Sequence, residues 1–163
     1  MIKIFDQKSK IGVALPKLIT GDGEVQKGAF GKEPTLWNIL NRVNTTYSLR
    51  KPDQTQIVDW VSGASLFIRK KLFDKIGGFD PQYFMYFEDV DLCKKAKDAG
   101  YKIFYNPEVS ITHLGGKSIA LPKDRKVKYY DSMEKFYKKH YGKIRLVILK
   151  IFLLPYKIIR YGA

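Results

Sequence analysis

Three carboxylates stand within four residues, at Glu88, Asp89 and Asp91, directly after the aromatic run YFMYF. Asp89 and Asp91 have the spacing of an Asp-x-Asp pair, and such carboxylates can hold a divalent cation. The surrounding pattern predicts a helix, however, and helical residues two positions apart diverge by about 200°. We therefore expect the two carboxylates to have separate roles rather than to share one ion.

Two interpretations of these acids remain open. Acidic residues in a first helical turn are favoured simply because the free N–H groups and the helix dipole stabilise negative charge. Alternatively, a carboxylate beside an aromatic wall would lie in a cleft where partial desolvation raises its pKa. Such a group could act as a general base while a sugar ring stacks on the aromatic side chains.

The element that must position these acids is a helix from about Glu88 to Ala99. Leu92, Cys93 and Ala96 recur along it at helical spacing, lysines fill the opposite side, and Gly100 follows as a C-cap. The rest of the pattern predicts mixed α/β structure with hairpin features. The first predicted element is a strand 10–20 that breaks at Pro16 and resumes, followed by a tight turn at Asp22-Gly23, a short helix in 34–43 and a polar loop to about 56. Strands 57–61 and 65–68 are predicted next, on either side of a Ser-Gly-Ala turn. A short helix through Phe73, ended by Gly77-Gly78, and strands in 101–105 and 109–112 complete the prediction.

Composition indicates one folded domain with a real core. The chain has 163 residues, of which 45% are hydrophobic and 14% aromatic. Its single cysteine, Cys93, excludes an internal disulfide and a multi-thiolate zinc site, and the N-terminus lacks a signal-peptide pattern. A cytoplasmic setting is therefore expected.

The positive charge is concentrated in the C-terminal tail. Residues 117–163 hold 13 Lys and Arg against 3 Asp and Glu, a balance of +10, whereas residues 1–116 hold 17 against 13, a balance of +4. The tail is predicted to be helical, and charges interrupt its apolar run from 144 to 159, so it is not expected to span a bilayer. On a helical wheel the cations fall on one side and the aliphatic residues on the other, which is typical of a helix lying in a membrane interface. Packing of this helix onto the domain is the alternative.

The block from Val58 to Ser118 resembles the C-terminal half of family 2 glycosyltransferases, particularly the rhamnosyltransferase-like branch. Even the segment IGVALPKLITGDGEVQ is similar to that family. The residues that carry the resemblance are Trp60, Gly63-Ala64, Arg69, Ile76-Gly77-Gly78-Phe79-Asp80, Phe84, Tyr86, Glu88-Asp89-x-Asp91-Leu92-Cys93, Gly100-Tyr101, Pro107, His113 and Ser118.

The resemblance implies a GT-A fold and an inverting transfer from a nucleotide-sugar donor to a glycan or lipid-linked acceptor, in cell-surface polysaccharide synthesis. It implies that Asp89 is the catalytic base, with Glu88 as the fallback or as a group that orients the acceptor or the base. Asp91 is expected to cap the helix. The substrate-binding residues would be Gly63 and Ala64 near donor phosphate or acceptor, Trp60 packed beneath or beside them, and the aromatic residues Phe84 and Tyr86.

His113 has two interpretations. A lone histidine after a strand is ordinarily a surface or capping residue. In related enzymes a histidine at this place joins the Asp-x-Asp to hold Mn²⁺ or Mg²⁺, so the resemblance implies His113 as a metal ligand and a divalent cation in the complete enzyme.

The family's N-terminal nucleotide-binding half, with its metal-binding Asp-x-Asp, is not found in this sequence. Three explanations follow: the chain is a fragment of a complete enzyme, which is the favoured one, it works with a separate donor-binding subunit, or it has lost catalysis. We expect residues 1–120 to form the acceptor and base part of a glycosyltransferase domain and residues 121–163 to form basic amphipathic helices. The isolated chain is expected to be inactive.

The rival hypothesis is a module without chemistry that uses the basic tail on nucleic acid or on an anionic membrane. Tyrosines interleaved with lysines could stack on bases. The apolar stretch 144–159 fits lipid better than nucleic acid, so the inner face of the plasma membrane is the expected location.

Overall fold

The computed structural model describes residues 1–40, 53–115 and 122–161, and in the last range it describes the side chains of residues 125–154. The chain divides into two compact units. The first comprises residues 1–81 and 88–120, and the second comprises residues 82–87 and 121–163. The segment 82–87 therefore belongs with the C-terminal helices.

A four-stranded mixed sheet forms the centre of the first unit. β1 (Ile11–Ile19) and β6 (Lys102–Thr112) run parallel in its middle, β3 (Gln56–Val58) lies antiparallel outside β6, and β5 (Phe67–Ile68) lies antiparallel outside β1. The prediction of mixed α/β structure is confirmed. The remaining elements of this unit are α1 (Ile2–Gln7), β2 (Phe30–Gly31), α2 (Leu36–Leu40), β4 (Trp60–Val61), α3 (Lys70–Lys75) and α4 (Glu88–Asp98).

Both faces of the central strands are covered, so β1 is buried along most of its length. Val13 and Leu15 face a core cluster that includes Leu72 of α3 with Cys93 and Ala96 of α4. A further cluster contains the β1 and β6 residues Ile11, Ala14 and Phe104, against which Ile4 and Phe5 of α1 pack. The layers of this unit are therefore helix, sheet and helix, with α4 packed on one side of the sheet.

The predicted break at Pro16 is a bulge within one continuous strand. Pro16 pairs with Asn106 and Lys17 pairs with Ser110, so three residues of β6 have no counterpart in β1. The two strands predicted around Pro107 are accordingly one long strand. Pairing with β1 on both sides of the bulge outweighs the loss of a backbone donor at proline.

The turn predicted at Asp22-Gly23 is confirmed. Gly23 has φ +86° and its N–H donates to the Thr20 carbonyl at 3.0 Å. The chain then returns along β1, with Val25 bridging to Ile19. Glycine suits this position because it adopts positive φ without steric cost.

The single strand predicted for 57–61 is wrong, because the chain changes sheets at Asp59. β3 joins the main sheet, whereas β4 pairs antiparallel with β2 in a separate two-stranded sheet. The Asp59 N–H donates to the Gly31 carbonyl at 2.9 Å, and its carboxylate accepts from Lys97 at 2.6 Å. Both partners are distant in sequence, so the local alternation of residues could not reveal the break.

The predicted helices of this unit are confirmed within a few residues. α3 ends before Gly77 and Gly78, which have φ of +75° and +61°, and α4 ends before Gly100 at +88°. α2 covers the first part of the helix predicted in 34–43. The polar loop predicted up to residue 56 falls mostly on residues 41–52, outside the described residues, and so does Ser118.

The second unit contains α5 (Pro122–His140), α6 (Gly142–Tyr161) and the segment 82–87. Gly142, with φ +79°, separates the helices, and α6 continues through Pro155. Ser132 of α5 donates to the Met85 carbonyl at 2.8 Å, and the Phe87 and Phe136 rings lie 5.4 Å apart. Among the described helices none combines the length and apolarity that crossing a membrane requires.

Candidate active site

The site is built around the first turn of α4. The chain enters this helix through Tyr86 and Phe87, which both have φ +66°. Two consecutive non-glycine residues in the left-handed region cost on the order of 1–3 kcal/mol each. The buried Phe87 ring holds this conformation by packing on Tyr129 and Phe136 within the second unit. The turn ends at Phe87, and α4 begins with its acidic first turn at the next residue.

Asp89 is the acid whose orientation the structure fixes. Its Oδ2 accepts a hydrogen bond from the Gly63 N–H at 2.9 Å, and its Oδ1 accepts one from the Val90 N–H at 2.8 Å. Burial raises the pKa of Asp89 even though these hydrogen bonds act to lower it. The structure therefore brings the predicted base and the Ser62-Gly63-Ala64 turn into direct contact.

Glu88 lies beside Asp89, and one of its two carboxylate oxygens lacks a partner in the described part of the chain. Its Oε2 is buried and has no hydrogen-bond partner among the described residues. Burial raises the pKa of Glu88, and the neighbouring Asp89 charge raises it further. An unsatisfied buried carboxylate oxygen is costly unless a ligand or a proton compensates it.

Asp91 points into the protein. Its side chain is fully buried and lies 3.5 Å from Lys95 one turn along the helix. It therefore differs in environment from Asp89, as the divergence of positions i and i+2 predicts. Within the described parts of the chain, no three His, Cys, Asp or Glu side chains come together as metal ligands would.

The turn that contacts Asp89 is short and accessible. Residues 63–65 form a single 3₁₀ turn, and the Ser62 hydroxyl accepts from the Ala64 N–H at 3.3 Å. Gly63 and Ala64 are exposed. A Cβ on Gly63 would lie 3.7 Å from the Asp89 Cβ, which is ordinary contact, so a close substrate rather than the fold would demand glycine there.

Trp60 lies two residues before this turn, in β4. Its indole Nε1 donates to the Lys32 carbonyl at 3.1 Å, and the half-buried ring packs against the core cluster. Trp60 thus anchors the strand that leads into Gly63. The contact that would make it a substrate-binding residue stays a prediction.

Phe84 and Tyr86 belong to the second unit. Phe84 is 82% exposed, and the Lys128 ammonium lies 5.0 Å from its ring centroid. Tyr86 meets the Tyr129 ring edge-on at 5.8 Å. Of the two, Phe84 offers an open aromatic face on which a sugar ring could stack.

His113 lines a different cleft, at the carboxyl ends of the parallel strands β1 and β6. The Nδ1 of its ring lies 2.7 Å from the Gln26 Oε1, and its backbone N–H donates to the Ile19 carbonyl at 2.7 Å. Because an amide oxygen only accepts, Nδ1 is the donor in this contact, and Nε2 is the ring nitrogen that Gln26 leaves for another partner. The cleft encloses about 550 Å³ and is lined by Thr20, Gly21, Asp22, Gln26, His113, Leu114 and Gly115.

The His113 cleft holds one further cation ligand candidate that the sequence interpretation treated only as a turn residue. Asp22 accepts a hydrogen bond from the Thr20 hydroxyl, which lowers the pKa of this carboxyl. An ionised carboxylate and an imidazole lone pair suit Mn²⁺ or Mg²⁺ in kind, but they supply only two donors. Gln26, which orients the imidazole, was also missed, since a glutamine 87 residues away from His113 carries no sequence signal.

An ion-pair network between α4 and distant residues of the first unit was also not predicted from the sequence. Lys97 of α4 lies 2.6 Å from Asp59 and 2.9 Å from Glu33. Burial acts to raise the pKa of Asp59, but the hydrogen bonds from Lys97 and from the Glu33 N–H outweigh it, so the pKa lies below its usual range. The network joins the helix that carries Asp89 to the strand that carries Trp60.

Taken together, the mixed sheet, the acidic helix start and the turn that faces it define an α/β domain with a candidate site at the start of α4. The sequence profile of the family described as glycosyltransferase like family 2 matches residues 18–131. This match covers more than half of the chain. The protein therefore belongs to this family, and its architecture is that expected of a GT-A-like fold.

The most similar characterised proteins include two rhamnosyltransferases. The N-acetylglucosaminyl-diphospho-decaprenol L-rhamnosyltransferase of Mycobacterium tuberculosis is 34% identical over 99 residues, which cover 61% of this chain and 30% of that protein. The rhamnosyltransferase WbbL of Escherichia coli is 40% identical over 57 residues, covering 35% of this chain and 22% of that protein. The chain thus matches about a third or less of each relative's length.

Proposed function

We propose that this chain contributes the acceptor-binding surface and the catalytic base of an inverting glycosyltransferase. The observation that carries the proposal is the Asp89 carboxylate, which is half-buried, has a raised pKa and is aimed by the Gly63 N–H at an exposed turn. In the family to which the chain belongs, an acid at this position serves as the base. The two relatives named above transfer rhamnose, so a deoxyhexose donor is the substrate class to test first.

The proposed reaction is a single displacement at the anomeric carbon. Asp89 takes the proton of an acceptor hydroxyl while that oxygen attacks the anomeric carbon of a nucleotide-activated sugar. The bond from the anomeric carbon to the leaving phosphate breaks on the opposite face, and the nucleoside diphosphate departs with the electron pair. The raised pKa makes Asp89 a better proton acceptor at neutral pH than an ordinary aspartate.

The base assignment is tested by Asp89→Asn in the complete enzyme, including its donor-binding half. We expect kcat to fall by about 10²–10⁴, because the amide cannot take the proton, while donor affinity measured by calorimetry stays unchanged. Asp98→Asn at the other end of α4 is the matched control and should keep full activity. Transfer within a few-fold of wild type in Asp89→Asn would remove Asp89 as base and leave Glu88 as the candidate.

We propose further that His113 is a ligand of the divalent cation in the complete enzyme. Its Nε2 would bind the ion, with the Asp22 carboxylate in the same cleft and the remaining ligands coming from the donor and from residues outside the cleft. When bound, such a cation neutralises the charge that develops on the leaving diphosphate. This chain's own contribution is to hold the imidazole in one tautomer through Gln26.

The chain itself offers an internal control for the metal, because it has only two histidines, His113 and His140. We expect Mn²⁺ to broaden the ring proton signals of His113 in NMR spectra at concentrations that leave those of His140 sharp. Gln26→Leu should weaken this effect, since the imidazole is then free to change tautomer. Equal broadening of both histidines would mean nonspecific binding and would withdraw His113 as a ligand.

The acceptor and the location belong to the same proposal. The mycobacterial relative is named for a substrate linked to decaprenyl diphosphate, which is a lipid carrier. A lipid-linked acceptor used in cell-envelope polysaccharide synthesis would be met at the inner face of the plasma membrane. The basic residues of the tail suit the anionic lipids of that surface.

The alternative function is a binding module without chemistry. The balance of +10 in residues 117–163 favours it, because such a charge binds polyanions whether or not Asp89 is active. Transfer activity that depends on Asp89 would exclude this alternative. Binding of lipid or nucleic acid without any transfer by the complete enzyme would support it.

A further inference from the structure

Helix α6 carries apolar residues on two faces, and only one of them is used within the second unit. Leu149 is fully buried, and Leu146 and Leu153 on the same side of the helix are half-buried. Lys150 of α6 lies 2.8 Å from Glu134 of α5, so this side packs along α5. The packed side is therefore the one that also carries Lys150.

A second face of α6, about 120° around the helix from the packed side, is both apolar and open. Ile144, Val147, Ile151 and Leu154 are between 55 and 79% exposed. At 3.6 residues per turn these four positions fall within an arc of about 80° and form one continuous stripe. We call this stripe the aliphatic face. Contiguous aliphatic residues exposed on one side of a helix mark an interaction surface rather than scattered surface residues.

The surroundings of the aliphatic face are cationic. Lys143 and Arg145 flank Ile144, and both are exposed. Residues 122–154 hold ten Lys and Arg against three Asp and Glu, a balance of +7. Two of those acids are already paired, Asp131 with Lys135 at 2.7 Å and Glu134 with Lys150. An occupant of this face must therefore be apolar at its centre and anionic at its rim.

An anionic bilayer has an apolar interior and an anionic surface, at depths that match the aliphatic residues and the neighbouring cations. Its phosphates lie above its acyl chains, so lysines beside an aliphatic stripe meet both when the helix lies flat. A second copy of the chain fits less well, because each copy carries a formal charge of +14 and the like charges would repel. A nucleic acid would match the cations but leave the aliphatic residues in water.

We propose that the aliphatic face of α6 inserts into the boundary between headgroups and acyl chains of an anionic membrane, with α6 parallel to the surface and Lys143 and Arg145 at the phosphates. The packing of Leu149 towards α5 leaves this face free. The inference deepens the membrane location proposed above, and it is independent of sugar transfer.

The test is flotation of the full chain with vesicles of phosphatidylcholine alone or with about one quarter phosphatidylglycerol, compared at equal lipid concentration. We expect binding to the anionic vesicles, and at least a tenfold loss of affinity in the double variant Ile144→Ser/Ile151→Ser. Both side chains are exposed, so the fold should survive, which circular dichroism can verify. The matched control is Ile2→Ser/Ile57→Ser, which removes two isoleucines of similar exposure from the first unit and should bind like wild type.

A second measurement reports insertion directly. Cys93 is buried and burial raises the pKa of its thiol, so a spin label reacts selectively with a cysteine placed by Ile151→Cys. We expect the label at 151 to become accessible to oxygen and protected from a polar relaxing agent when vesicles are added. A label at Ile57→Cys should show no such change.

The outcomes separate the inferences. Binding to anionic vesicles that is lost in the α6 variant and retained in Asp89→Asn supports the proposal. Binding unaffected by the α6 variant overturns the aliphatic face as the contact but leaves the membrane location standing. The proposal is overturned if the chain does not bind vesicles, or if it binds neutral and anionic vesicles equally. It is also overturned if the chain self-associates and the α6 variant abolishes that self-association.

Discussion

Glu88 and Asp89 are neighbours in the chain, yet their carboxylates have different hydrogen-bond partners. Asp89 is aimed by two backbone N–H groups, whereas the buried Oε2 of Glu88 has no partner among the described residues. A group that must approach one particular substrate atom benefits from a fixed orientation. A group with unused hydrogen-bonding capacity is suited to receive a ligand hydroxyl. These different surroundings are the reason for proposing Asp89 as the base and Glu88 as a residue that binds the acceptor.

From the raised pKa of Glu88 we predict how the free energy of unfolding changes with pH. The folded protein binds the Glu88 proton more tightly than the unfolded chain does, so the free energy of unfolding falls as pH rises from the ordinary glutamate pKa of about 4.3 through the raised folded value. Glu88→Gln should flatten this fall and be more stable than wild type above that range. Urea denaturation between pH 4 and pH 8 measures it, with Asp98→Asn as control. An unchanged pH dependence in Glu88→Gln would contradict the role of its burial.

The same reasoning applies to the pH dependence of transfer. Only the ionised form of Asp89 accepts a proton, and its pKa is raised by burial. We expect kcat/KM to decline on the acid side at a pH above the ordinary aspartate pKa of about 3.9. A pH–rate profile in the complete enzyme measures this limb. Activity that persists unchanged down to that ordinary value would contradict a buried base.

At the scale of elements, α4 is held in place by more than its apolar face. Leu92, Cys93 and Ala96 bury themselves against the sheet, and Lys97 adds ion pairs to Asp59 and Glu33. The apolar face fixes the distance of the helix from the sheet. The Lys97 contacts join it to the strand that leads to Gly63. Together they keep Asp89 within hydrogen-bonding distance of the Gly63 N–H.

Replacing Lys97 by Met should therefore loosen the connection between α4 and the strand that leads to Gly63. We expect Lys97→Met to lower the free energy of unfolding by about 1–3 kcal/mol, because it leaves the partly buried Asp59 and Glu33 carboxylates without their shared partner. Lys94→Met on the same helix is the matched control, since its pair with the exposed Asp98 contributes about 0–1 kcal/mol. Equal losses in both variants, measured by urea denaturation, would show that the network has no special role.

At the scale of the whole molecule, the charge and the candidate chemistry belong to different parts of the sequence. The candidate active site is built by residues of the first unit, whereas the dense positive charge belongs to residues 117–163. Substitutions in the C-terminal helices therefore change the charge without changing any residue of the Asp89 site.

Salt dependence can identify what the C-terminal helices bind. We expect binding to duplex DNA to fall steeply between about 50 and 200 mM salt, because it rests on counterion release alone. Binding to anionic vesicles should keep a salt-resistant part, since burial of the aliphatic face is not screened. Fluorescence anisotropy and flotation over the same salt series measure the two. Tight DNA binding at 200 mM salt together with no vesicle binding would favour the nucleic-acid alternative.

The sequence by itself determined the features that depend on near neighbours. The α4 helix with its Gly100 cap, the Asp22-Gly23 turn and the end of α3 at Gly77 all follow from residues a few positions apart, and the family resemblance follows from the order of short motifs along the chain. The tertiary structure alone decided the rest, since the partners are far apart in the chain. Asp89 meets Gly63 across 26 positions, Lys97 meets Asp59 across 38, and His113 meets Gln26 across 87. A hydrogen bond needs its two atoms within about 3 Å, and local periodicity carries no information about which distant segments the sheet will bring that close.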